Sequence, residues 1–150
     1  MPLGGKSGFE GVLPYQGAFE VDALGDGQFV FTGEMNKDSR AELGPMALIK
    51  VDDPACDVRI IVSSSRTQCL DQAIFRHLGI EPSEQSILVV KSSVHFRADF
   101  DPIAAETLVV AAPGAHPCRL VDLPYQNLRT GVRLEPMGLA HILHEGGNDL

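Results

Sequence analysis

Hydrophobic and polar positions alternate through the first third of the chain and then change rhythm. Ala18-Phe19-Glu20-Val21 and Gln28-Phe29-Val30-Phe31-Thr32-Gly33 alternate or nearly so, with Gly25-Asp26-Gly27 between them as a turn. Asn36 to Pro45 is a polar loop, and Ala47-Leu48-Ile49-Lys50-Val51 is a short strand closed by Asp52-Asp53-Pro54. Beyond it, Val58-Arg59-Ile60-Ile61-Val62 is β-branched and strand-like, and Ser63-Ser64-Ser65-Arg66 follows. The spacing of Leu70, Ile74, Phe75 and Leu78 predicts a helix over 70–78, with Gly79 where a C-cap belongs. Ile87 to Val90 and Thr107 to Ala111 read as further buried strands. Val94 to Ala105 reads as helical in part, limited by Pro102.

Strand, helix, strand, crossover, strand predicts parallel pairing through right-handed connections. With the β-rich opening, the expected fold is α/β with a mixed sheet; α+β is the alternative. One domain over residues 1–136 is expected, with 137–150 as a weakly ordered tail around a short helix at His141–Gly147.

Chemistry concentrates just beyond the predicted strand ends. Lys91, Ser92, Ser93, His95 and Arg97 crowd behind Ile87–Val90, where open α/β sheets place ligands. Lysine and arginine can hold a carboxylate or phosphate, the arginine bidentately, and histidine can move a proton near neutral pH. Three readings stand: a catalytic cleft, an interface to another domain, and a local polar network in which Lys91 pairs with Asp99 or Asp101. Arg66 and Gln68 trail another predicted strand, as an anion clamp and an amide donor. If the strands are parallel neighbours, both groups meet at one sheet edge. The serines at 63–65 read more simply as helix caps.

These motifs carry a resemblance. Lys91 to Arg97, then Asp101-Pro102-Ile103-Ala104 and Ala112-Pro113-Gly114, resemble the carboxy-terminal domain of the MlrC family of microcystinase C-like metallopeptidases. Ser65-Arg66-Thr67-Gln68 with Asp71, Phe75 and Gly79-Ile80 is similar too, as is Leu3-Gly4-Gly5-Lys6, so the resemblance runs from Leu3 to Leu134. It implies amide-bond hydrolysis of small or linear peptides by a metal-activated water. It also implies zinc on an amino-terminal domain upstream of this region, which becomes the expected partner. This chain then supplies the substrate side or the domain interface and is inactive alone. A free-standing anion-binding or interaction module is the alternative. A neighbouring strand lost from the sheet would leave an exposed edge that favours homo-oligomers.

Composition narrows the rest. A net charge of −8 argues against nucleic acid and anionic lipid. No apolar run reaches the roughly 18 residues a membrane helix needs. Cys56, Cys69 and Cys118 lack metal or redox spacing and fit a reducing, cytoplasmic setting. Cys69 reads as a small core residue, and His77 as a capping or surface residue. There is no H-E-x-x-H, so no metal ligand is expected in this chain; His141 and His144 are the weak exception. Gly4-Gly5-Lys6 is not a phosphate loop.

Overall fold

The alternation of the opening third becomes antiparallel sheet. In the computed structural model, which describes residues 1–5, 12–112 and 119–142, β1 (Pro2–Leu3) pairs with β2 (Tyr15–Gln16). β3 (Phe19–Gly25) pairs with β6 (Met46–Val51), and β6 with β7 (Arg59–Ser63), giving the order β3-β6-β7. β6 is central and apolar on both faces, and Met46, Leu48, Ile49 and Val51 are all buried. The β3–β6 register slips between Val21 and Ala23, a bulge that turns β3 toward the next corner.

That corner is Asp26-Gly27. β4 (Gln28–Val30) leaves the first sheet and pairs with β5 (Arg40–Glu42) in a second one. The turn read from Gly25-Asp26-Gly27 is present, but the strands on either side of it join different sheets. Gly27 has φ +74°, and a Cβ there would collide with the Gly44 carbonyl, so only glycine fits. The core between these elements gathers Phe31, Ala41, Leu43, Met46, Leu48, Ile74 and Leu78.

The helix expected over 70–78 contracts to α1 (Ala73–Arg76). Its apolar positions still point inward: Ile74 and Leu78 are buried, and Phe75 meets the buried Phe100 edge-on at 5.9 Å. Gly79 stands at the C-terminal end with φ +79°, as its position predicts. The early start fails because Asp71 is tied to a loop beyond β4 and Gln72 to the segment near Asp99, which fixes the chain before a helix can begin. The serines do not cap it. Ser63 Oγ donates to the Ser65 carbonyl, and Ser64 Oγ to the Pro45 carbonyl. α2 (Arg97–Phe100) runs into a 3-10 turn at Asp101–Ile103, with Pro102 ending regular helix.

Two expected strands do not form. Ile87–Val90 and Thr107–Ala111 make no sheet pairs, and every strand pair among the described residues is antiparallel. The parallel units behind the α/β reading are therefore absent from this part of the molecule. An apolar run becomes a strand only beside another strand, and none flanks these two among the described residues. The described residues form a mainly β structure of small sheets with short helices.

The described residues fall into two compact units, Met1–Gly4 with Pro14–Val109, and Gly5–Leu13 with Val110–Leu150. All the elements above belong to the first. In the second, a 3-10 turn at Leu120–Asp122 follows Arg119, whose guanidinium pairs with Asp122 and Glu135, each at 3.6 Å. Gly131 N–H donates to the His141 carbonyl and His141 N–H to that of Val132. His141 and Ile142 are not helical. The rest of the expected tail helix, with His144, lies outside the described residues, as do Lys6, Pro113-Gly114 and Cys118.

Candidate functional site

Gln68 joins the two polar segments. Its Nε2 donates to Ser92 Oγ at 2.9 Å, and its Oε1 lies 3.3 Å from His95 Nδ1. In this orientation of the amide, Nδ1 carries the ring proton and donates to Oε1, which leaves Nε2 of His95 open as an acceptor. Gln68 and Ser92 are half-buried and His95 is exposed, so the array opens to solvent. The expected meeting of the two segments is observed, but not at an edge of parallel strands.

A different device holds them together. Asp71 is fully buried and its carboxylate accepts four hydrogen bonds. Oδ2 takes the N–H groups of Thr32 and Gly33 at 2.9 and 2.6 Å; Oδ1 takes Ala73 N–H at 2.7 Å and Thr32 Oγ1 at 3.3 Å. Asp99 Oδ2 accepts Gln72 N–H at 2.6 Å, and the Asp99 carbonyl accepts Gln72 Nε2 at 2.5 Å. Gln68 lies three residues before Asp71, and His95 four before Asp99. The knot thus sets the spacing of the array. Gly33 belongs to it, since a Cβ there would press on both Asp71 and Asp99. Asp71 is part of the matching motif in the sequence, but nothing local announces partners 38 and 39 residues away.

The remaining candidates divide. Arg97 Nη1 reaches Asp101 Oδ2 at 3.4 Å, and its guanidinium lies 5.4 Å from the Phe96 ring centre. Such an exposed ion pair contributes ~0–1 kcal/mol. The acid expected for Lys91 is thus engaged elsewhere, Asp99 by Gln72 and Asp101 by Arg97. Arg66, Lys91 and Ser93 are exposed, and no hydrogen bond or ion pair among the described residues ties them to the array.

His77 stands at the C-cap of α1, as its capping reading expects, but it is an anchor rather than a surface residue. Its side chain is only 14% exposed, its Nε2 accepts Gly27 N–H at 3.1 Å, and its ring stacks at 5.2 Å on Phe29. It pins the β3–β4 corner to the end of α1. Nearby, Arg76 and then Ser83 hold the Glu81 carboxyl down at about 2.

Cys69 packs half-buried against the core. Burial, and then the charges of Asp71 and Asp99, push its thiol from 9.0 up to about 12. At neutral pH it is a thiol and no nucleophile. We expect iodoacetamide at pH 8 to alkylate Cys69 about a thousandfold more slowly than free cysteine, read by mass mapping; labelling at the free rate would contradict its burial. The unfolded chain loses this proton near pH 9 and the folded one does not. Stability contributed by Cys69 is therefore intact below pH 9 and falls as pH rises from 9 toward 12.

Among the described residues no group of three or more His, Cys, Asp or Glu side chains could hold a metal ion. The one buried carboxylate has its oxygens filled by backbone and hydroxyl donors. No helix of the described residues is long and apolar enough to cross a membrane.

The Gln68-Ser92-His95 array opens to solvent and is braced by the buried Asp71 and the half-buried Asp99, on a small mainly β scaffold. A family model for the MlrC C-terminus matches residues 1–127, and the chain belongs to that family. It is also 30% identical over 110 residues to Microcystinase C of a Sphingomonas species, an alignment covering 73% of this chain and 20% of that protein. The chain thus spans only about a fifth of the length of that relative.

Proposed function

We propose that this chain is the substrate-side domain of a metal-dependent amide hydrolase of the MlrC kind. The metal belongs to the part of the longer protein outside this region. The family match over residues 1–127 carries the reading. The polar array gives it chemistry: Ser92 Oγ–H can donate to a peptide carbonyl, and His95 Nε2 can accept a peptide N–H. Arg97, with Lys91 and Arg66, would position a carboxylate of a small or linear peptide. No cluster among the described residues fits a zinc site, so none of them is given a metal-ligating role. The charge of −8 disfavours binding to nucleic acid or anionic lipid, and cysteines without metal or redox spacing fit a reducing, cytoplasmic setting.

The test is made in a full-length family member. Changing the residue that matches His95 to alanine should lower kcat/KM by about 10- to 100-fold, the range of one positioned hydrogen-bonding group, with Tm unchanged. Unaltered kinetics would remove His95 from the substrate side. A lower Tm with unaltered kinetics would favour the interface instead.

A further inference from the structure

Two segments of the first unit have the chemistry of strands and, among the described residues, no strand beside them. Ile87 and Val89 are 83% and 88% exposed, while Leu88 and Val90 are half-buried. Leu108 and Val109 are 76% and 71% exposed. Side chains that alternate between faces, with both faces apolar, mark a strand meant to be covered on both sides. Neither run contains a turn or bend. Backbone groups from Ser86 to Lys91 and from Glu106 to Val109 form no backbone hydrogen bond among the described residues. Straight apolar chain with free N–H and C=O groups is a template for another strand.

We infer that Ile87–Val90 and Thr107–Val109 are strand-addition sites. Their occupant is an apolar strand from the part of the longer polypeptide that lies outside this region in family members. The inference rests on reading the chain as one domain of a larger hydrolase. Two observations select that occupant over a second copy. The aligned region is only 20% of Microcystinase C, so most of that protein is there to supply a strand. A second copy of this chain would bring another charge of −8 against the first. The position also matters for function. A strand laid along Ile87–Val90 ends two residues short of Ser92, so its neighbouring residues arrive beside Ser92, Gln68 and His95. Docking would then complete the candidate site as well as cover the apolar surface.

Hydrogen exchange read by mass spectrometry tests this, on the 150-residue chain and on full-length Microcystinase C. Peptides spanning Ile87–Val90 should exchange within seconds in the chain. The matching peptides of the full-length protein should exchange at least a hundredfold more slowly. Light scattering should find the chain monomeric. Fast exchange in the full-length protein would overturn the strand site. A dimeric chain with these amides protected would assign the site to a second copy and overturn the proposed occupant. Peptide hydrolysis by the full-length protein is assayed separately, so the strand site stands or falls on protection alone, whatever becomes of the hydrolase reading.

Discussion

Replacing Asp71 by alanine should cost the first unit about 3–5 kcal/mol, the largest loss expected from any single change outside the apolar core. The substitution strands the buried N–H groups of Gly33 and Ala73 and the part-buried one of Thr32. A buried donor left unpaired costs about 1–3 kcal/mol, so several lost together approach the upper end of single-mutant effects. Asparagine should be little better, because its amide NH2 would face N–H donors where an oxygen now accepts. Urea unfolding at pH 7 reads both variants. A loss below about 1 kcal/mol for alanine would mean that the loop beyond β4 relaxes freely and that Asp71 does not fix the site. The same variant should separate Gln68 from Ser92, seen as a changed chemical shift of the Gln68 amide protons.

The second large effect is expected at Arg97, and on catalysis rather than stability. The side chain is exposed, pairs with Asp101 at 3.4 Å and leans on Phe96. Lysine keeps the charge but loses the planar two-point grip on a carboxylate. In a full-length family member the matching arginine-to-lysine change should cost about 1–3 kcal/mol of transition-state binding, roughly 5- to 150-fold in kcat/KM. Stability should move by no more than about 0.5 kcal/mol, as for other exposed ion pairs. Unchanged kinetics with a clear fall in Tm would instead make Arg97 an interface residue. If neither moves, Arg97 is an ordinary solvated side chain.

The parts legible in the sequence are those decided locally. Alternation marked β3 and β4, the short run Ala47–Val51 marked β6, the β-branched run marked β7, and Gly79 marked the end of α1. Which strands pair is decided elsewhere. Gly25-Asp26-Gly27 reads as a hairpin turn, yet β3 takes β6 as partner while β4 takes β5, because the corner is pinned by His77 fifty residues away. Ile87–Val90 has the composition of a buried strand but no neighbour to pair with among the described residues, and composition alone supplies no partner.

The candidate site divides the same way. The clustering of Lys91, Ser92, His95 and Arg97 was visible as a dense polar run after apolar residues. The contact of Gln68 with Ser92 and His95 was anticipated for the wrong reason, since it depends on the Asp71 and Asp99 knot rather than on parallel strands. A buried carboxylate reads in sequence as any other acid. Only the fold reveals that its partners come from the loop beyond β4 as well as from its own segment.

The central claim is that this region faces substrate while the metal is held elsewhere in the longer protein. Metal analysis of the purified chain, dialysed against trace zinc, tests it most directly. The account predicts well below one equivalent of zinc per chain and no peptide hydrolysis, because the described residues offer no cluster of ligands. One tightly held zinc per chain, with histidine or carboxylate ligands from this sequence, would contradict it.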